Sequence, residues 1–357
     1  MDISWVADAW RPAHAWVGAS AVSALYVGSL YLWPARYRAP RDHPAVIRRR
    51  TVSLLGTCVA SCALPWVALQ VAPPCAAARA AGVALPATIA SATGFAVAGA
   101  PPAAIASLSL CALLFLGPLT RAALDEGVAS VARLFAGALA PRSATAWRNH
   151  VVAPVAEEWV FRAVCVPTLV FAGAATVARA IALSPLLFGS AHVHHFFEAR
   201  ERARRATEAT PGSDADDADD ADDADARTNA TNDDDARRLR RLRRAVRLER
   251  RATKRALVVV SAQFAYTTLF GAFAAFLMLR TGNACAPTAA HFFCNATGVP
   301  DVAAAARSRH RNVVLVAYAV GILAFGALLW PLTDPEKHPG SRWDDLVAVS
   351  ARRPTAR

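Results

Sequence analysis

The sequence predicts an all-α, polytopic membrane helix bundle of about eight transmembrane helices. Three observations predict it. Of 357 residues, 55% are apolar and only 18% are charged, against about a quarter charged in a soluble protein. The charges cluster in blocks, separated by nearly uncharged stretches of 18 or more residues. At ~1.5 Å per residue such stretches are long enough to cross a hydrocarbon core. Basic and non-basic loops also alternate along the chain, as the positive-inside rule requires of a multi-span protein.

The spans read from the apolar pattern are roughly 14–33, 51–72, 101–120, 150–173, 176–198, 256–280, 283–300 and 312–332. The first loop carries Arg36, Arg38, Arg41, Arg48, Arg49 and Arg50, whereas the second holds only Arg79. Arg121, Arg133, Arg142 and Arg148 make the third connection basic, and Arg179 stands alone in the fourth. The fifth loop, 199–255, is dense with arginine, the sixth is minimal, and the seventh carries Arg307, Arg309 and Arg311. This alternation puts the basic loops in the cytosol and both termini on the other side. The basic tail, with Lys337, Arg342, Arg352, Arg353 and Arg357, is the one dissent, although much of it lies far from the last span. Residues 82–99 are apolar but short, rich in small residues and interrupted by Pro86. A ninth span there breaks the charge alternation, so the segment reads as re-entrant or interfacial. The first residues carry acids and only Arg11, not the basic start of a cleavable signal peptide.

The net charge of +12 does not indicate a nucleic-acid partner, because the arginines flank apolar spans, where topology signals belong. The seven cysteines, Cys58, Cys62, Cys75, Cys111, Cys165, Cys285 and Cys294, fall mostly inside apolar segments without paired CxxC spacing. They read as small core residues, forming neither a disulfide framework nor a zinc site.

The chain reads as a single polytopic domain, 1–357, interrupted by the charged cytosolic insertion 199–255. Residues 214–225 read DADDADDADDAD and 237–251 read RRLRRLRRAVRLERR. An acidic run of this kind cannot bury a core and is expected to be disordered; it also lacks the mid-loop Gly and terminal Glu of an EF-hand. Leu239, Leu242 and Val246 recur at helical spacing among the arginines. They fit either an amphipathic helix on anionic lipid or a solvated insertion with charged arms. Asn229-Ala-Thr231 fits a glycosylation sequon, which a cytosolic loop leaves unmodified.

Ionisable groups inside a span cost at least ~2.5 kcal/mol each on insertion scales and so tend to face a cavity and to have a function. Three groups stand out. Glu157, Glu158 and Arg162 lie in the fourth span; His192, His194, His195 and Glu198 end the fifth; His291 and Asn295 lie in the seventh. The catalytic helices are therefore placed at about 150–198 and 256–300. Glu158 and Arg162 are four apart and share a helix face, so they can pair. Glu157 points about 100° away and keeps its carboxylate available. Phe188 precedes His192 by one turn, and His291 and Asn295 are again one turn apart. A carboxylate, two imidazoles and an amide are what hydrolysis of a peptide bond by activated water requires: a base, a partner that orients the water, and donors to the oxyanion. Taken singly, each group also has an ordinary reading, as an ion pair at a helix end, interfacial histidines or an interhelical hydrogen bond.

Glu157-Glu158-x-x-x-Arg162, Phe188-x-x-x-His192 and His291-x-x-x-Asn295 resemble the three signature motifs of the type II CaaX prenyl endopeptidases, the Ras-converting CaaX endopeptidase family of glutamate-type intramembrane proteases. The segments RNHVVAPVAEEWVFRA, FGSAHVHHFFE, QFAYTTLFGAFAAFLMLRTG, HFFCN and PLTDP are also similar to the eukaryotic enzymes. The resemblance covers roughly residues 112–335, less the insertion at 206–252. The first hundred residues match only in span pattern. The resemblance implies an eight-span protein of the endoplasmic reticulum membrane, with its site facing the cytosol. It implies removal of the last three residues of prenylated CaaX proteins, such as Ras-like small GTPases, without a cofactor or metal. By motif position Glu157 is the base, His192 assists it, His291 and Asn295 form the oxyanion hole, and Glu158 and Arg162 are supporting residues.

Two other classes fit parts of the pattern. A zinc protease on the same scaffold would hold its metal through His192, His195 or His291 and a glutamate, although no HExxH is present. A non-enzymatic transporter or scaffold would use the carboxylates as a proton relay, but the inverted repeats of a transporter are not found.

Overall fold

The computed structural model describes residues 10–34, 39–192, 195–208, 233–339, 341, 345 and 347. The acidic run at 214–225, the sequon at 229–231 and His194 lie outside the described residues. Helices are the regular elements of the described residues, which include no strand, as the sequence predicts. It divides into two compact units, one of residues 1–188 and 269–357 and the other of residues 189–268.

Among the described residues, three helices are long and apolar enough to cross a membrane, Pro44–Val71, Leu242–Thr281 and Arg311–Leu332. A fourth forms if Ala100–Leu114 and Leu116–Glu126, bent by 65°, are taken as one span. The remaining expected spans are helices that are short or interrupted, among them Val177–Ala191 and Cys285–Thr297. The bundle is thus the predicted one in class, but built of broken as well as continuous helices. Its outer faces suit a bilayer: Val52, Leu55, Val59 and Leu323 are 60–73% exposed, a pattern that water disfavours and acyl chains accept.

The interruptions have identifiable causes. The run from Ala144 to Phe171 is helical, but two turns widen to the π form, at Arg148–Val152 and Trp159–Cys165. Each wide turn precedes a proline, Pro154 or Pro167, and contains the residue four positions before it, His150 or Ala163. A proline has no N–H to donate to that carbonyl and its ring clashes with it; widening the turn relieves the conflict without ending the helix.

Residues 82–99 do not span. They contain only the five-residue helix Ile89–Thr93, capped by Thr88 and ended by Gly94 at φ +73°. The loop that follows is pinned, with Ala284 N–H donating to Gly94 O at 2.9 Å and Asn283 Nδ2 to Ala96 O at 2.7 Å. A side chain at Gly94 would meet the Met278 methyl at 2.6 Å and Gly282 O at 2.9 Å, so both the positive φ and the close approach demand glycine. Helix Val128–Leu139 lies in what the sequence presented as a basic connection, and its Phe135 ring packs on Phe293 at 5.2 Å.

Two larger apolar clusters and a small one around Ala163, Met278 and Ala284 pack the described part of the first unit. Of the larger two, one gathers Ala19, Leu69, Cys165, Leu169, Phe171 and Leu279, the other Leu110, Cys111, Phe115, Leu277, Ala290 and Phe293. Cys58, Cys75, Cys111 and Cys165 are buried, whereas Cys285 is exposed.

Candidate active site

Glu157 and Glu158 end the short α-helical stretch Ala153–Glu158, between the two wide turns. Glu158 is fully buried and Arg162, one turn on, is 2% exposed. Arg162 Nη1 donates to Glu158 Oε1 at 3.0 Å, which is the pair the spacing predicts. The guanidinium lies over the Phe188 ring at 4.1 Å and near Phe270 at 5.6 Å. Gly271 gives it room: a Cβ there would come within 2.8 Å of Pro185 and 3.1 Å of Arg162 Nη2. Burying two charges is costly, and the pair is tolerable only because each neutralises the other at hydrogen-bonding distance.

His291, on helix Cys285–Thr297, stands between the two carboxylates. Its Nδ1 is 2.7 Å from Glu158 Oε1 and its Nε2 is 3.7 Å from Glu157 Oε2. Glu158 is the carboxylate partner of a buried arginine and can only accept, so Nδ1 carries the proton of that hydrogen bond. Phe270 and Phe188 meet the imidazole edge-on, with ring centroids at 5.0 and 6.3 Å. The ring is held by one hydrogen bond and two aromatic faces.

Glu157 is set differently. Its side chain is 17% exposed, and its other oxygen, Oε1, accepts from the Tyr26 hydroxyl at 3.4 Å. Tyr26 comes from the first helix, Pro12–Ser29, and its ring packs edge-on against Phe161 at 5.5 Å. The Cys58 thiol reaches the Ala156 carbonyl at 3.9 Å from the next helix. Tyr26 is absent from the sequence-based site. The one signal for it was a phenol in an apolar span, since a buried tyrosine needs a partner for its hydroxyl.

Asn295 lies one turn after His291 and is exposed; its Nδ2 donates to Asn149 O at 3.0 Å. An amide has two N–H donors, so one remains for another acceptor. Phe292, three residues before Asn295, and His150, next to Asn149, line an apolar cavity of about 710 Å³ together with Leu108, Ala112, Phe135, Val155 and Ala289 among others.

The structure thus gathers Glu157, Glu158, Arg162, His291 and Asn295 in the first unit. His192 belongs to the second unit, just after helix Val177–Ala191, where its N–H donates to Gly189 O at 3.0 Å. His195 begins helix His195–Glu208, which also contains Glu198. Among the described residues, no group of three or more His, Cys, Asp or Glu is arranged to hold a metal ion.

A carboxylate–imidazole cluster thus lies among the apolar helices of a multi-pass membrane protein. Comparison with known proteins gives the lineage. The sequence profile of the "Type II CAAX prenyl endopeptidase Rce1-like" family matches residues 140–297. CAAX prenyl protease 2 of Homo sapiens is 33% identical over 326 residues, covering 87% of this chain and 78% of the relative. The Rattus norvegicus protein of the same name is 30% identical over 87% of this chain and 77% of its own length. The probable CAAX prenyl protease 2 of Schizosaccharomyces pombe is 26% identical over 88% of this chain and 92% of the relative. The chain belongs to the type II CAAX prenyl endopeptidase family. No solved structure matches it.

Proposed function

We propose that this protein removes the C-terminal aaX tripeptide from prenylated CaaX proteins, Ras-like small GTPases among them, by glutamate-activated hydrolysis. The observation that carries the reading is His291 suspended between two carboxylates, bonded to Glu158 at 2.7 Å and facing Glu157 at 3.7 Å.

Glu157 Oε2 takes a proton from water, and the resulting hydroxide attacks the carbonyl of the prenylated cysteine. A water bonded to both Glu157 Oε2 and His291 Nε2 sits off the line that joins them. The tetrahedral oxyanion then accepts hydrogen bonds from Asn295 Nδ2 and from His291 Nε2. With Nδ1–H committed to Glu158, Nε2 donates only when the ring carries both protons. Glu157 delivers its proton to the leaving nitrogen, the C–N bond breaks, and the products are a prenylcysteine carboxylate and a free tripeptide. Glu158 and Arg162 hold His291 in register. His192 assists Glu157 by motif position. The apolar cavity beside Asn295 offers the isoprenoid chain a surface, since that chain hangs from the residue whose carbonyl is attacked. Pockets of this volume with few polar groups are typical of apolar ligands.

The alternation of arginine-rich loops supports a site facing the cytosol, where CaaX proteins are prenylated, and the family relationship supports the endoplasmic reticulum membrane and a lipid-bilayer setting. The test is tripeptide release from a farnesylated CaaX peptide by membranes carrying wild type or Glu157→Ala, with and without chelator. Chelator-insensitive release, lost in the variant, is the expected result. No release by folded wild type overturns the activity. Chelator-sensitive release restored by zinc overturns the mechanism.

A further inference from the structure

The second unit carries chemistry that proteolysis does not use. Helix His195–Glu208 is joined to the long helix Asp233–Thr281 by an ion pair, Arg200 Nη2 to Glu249 Oε2 at 2.5 Å. Between the two helices is a groove of about 600 Å³, lined by Ala199, Ala203, Val258 and Val259 and by the cations Arg202, Lys254 and Arg255. Ala199 and Ala203 are one turn apart, so two small side chains on one face leave the space.

The sequence around this groove fixes its setting. Eleven arginines and lysines lie between positions 237 and 255, and no Asp, Glu, Lys or Arg follows from Ala256 to Leu279. Lys254 and Arg255 are therefore the last charges before a stretch long enough to cross a bilayer. This is the level of phospholipid headgroups, and Val258 and Val259, a turn further on, are at the start of the acyl region. Both valines are solvent-exposed, at 71% and 55%.

We propose that this groove binds one anionic phospholipid, with its headgroup phosphate on Arg202, Lys254 and Arg255 and an acyl chain over Val258 and Val259. A ligand charged at one end and apolar at the other matches both linings; a nucleic acid or an acidic peptide matches only the first. The site is independent of the proteolytic chemistry.

The experiment uses the full chain in detergent, titrated with phosphatidylserine or phosphatidylcholine and read by native mass spectrometry. Phosphatidylserine is expected to bind on the order of ten-fold more tightly, or better, since each interfacial cation adds to the attraction. Two variants remove the preference by different routes: R202Q/K254Q/R255Q takes the charge, and A199L/A203L fills the groove while keeping it. R202K/R255K retains the charge and is expected to keep the preference, which separates recognition from misfolding. Inorganic phosphate at millimolar concentration is expected not to displace the lipid. Equal binding of the two lipids by wild type, a preference that survives both disabling variants, or full displacement by phosphate each overturns the proposal.

Discussion

The Tyr26 hydroxyl donates to Glu157 Oε1 at 3.4 Å, joining the N-terminal helix to a carboxylate 131 positions along the chain. The other oxygen of the same carboxylate faces His291 Nε2 at 3.7 Å. One oxygen is anchored and the other is presented. Tyr26→Phe keeps the ring on Phe161 and removes only the donor. A hydrogen bond to a charged group contributes about 1.5–3 kcal/mol, so kcat is expected to fall roughly ten-fold or more with KM little changed. An unchanged kcat in steady-state tripeptide release would sink the positioning role.

Glu158→Gln leaves Arg162 buried without its counter-charge. Breaking a buried pair in this way costs about 3–5 kcal/mol, and thermal unfolding in detergent is the measurement. Pairing the change with Arg162→Met removes both charges and is expected to recover most of the stability. Activity is expected to stay low in the double variant, because His291 still lacks its carboxylate acceptor. If the double variant regains full activity, Glu158 does not act through the imidazole.

The proposed oxyanion donor makes a separate prediction. Asn295→Ala removes an exposed side chain whose bond within the protein is to Asn149 O, so its effect on stability is expected to be small. Loss of an oxyanion donor typically lowers kcat about 10²–10³-fold. Single-turnover cleavage at saturating peptide distinguishes that loss from weaker binding.

Ala289→Trp adds bulk to the apolar cavity beside Asn295. For a farnesylated peptide the expectation is a raised KM with kcat largely retained, and a larger rise for a geranylgeranylated one. Equal, unchanged KM values for both peptides would remove the cavity from the substrate's path.

Glu201 makes a prediction about pH. Hydrogen bonds from Arg204 and then Arg205 hold its carboxyl at about 2, below the usual carboxylate value of 4.5. A depressed folded value means that its contribution to helix His195–Glu208 is present above the unfolded value and is lost as pH falls through about 2. The side chain is 42% exposed, so salt screens the effect. A carboxyl-carbon NMR titration of Glu201 that turns over near 4.5 contradicts the pairing.

The class of fold and the six candidate residues were legible for the same reason: charge or a strong polar group inside an apolar stretch is expensive enough to be rare. Of the six, Glu157, Glu158, Arg162 and His291 stand in contact, Asn295 follows His291 by one turn, and His192 belongs to the other unit. What was not legible depends on partners distant in sequence or on backbone detail. Tyr26 looks like any aromatic in a span until Glu157 is beside it. The prolines at 154 and 167 predict a disturbance, yet not that a wide turn absorbs it. The basic half of the insertion and the next span read as separate pieces because their compositions differ; Asp233–Thr281 is one helix, since arginine, alanine and leucine all favour that conformation.

The 65° break at Phe115, the wide turns and the short helices have a consequence for supply. A hydrolase consumes two substrates, and a bilayer keeps one of them, water, away. Backbone groups released from regular helix inside a membrane must still be hydrogen-bonded, by neighbouring protein or by penetrating solvent. A bundle of unbroken spans would leave the surrounding lipid dry, whereas here two widened turns flank the carboxylates directly. The irregular helices that disguise its spans are thus also its plumbing, and the bilayer beside Glu157 is expected to be thinner and wetter than the bilayer beside Arg311–Leu332.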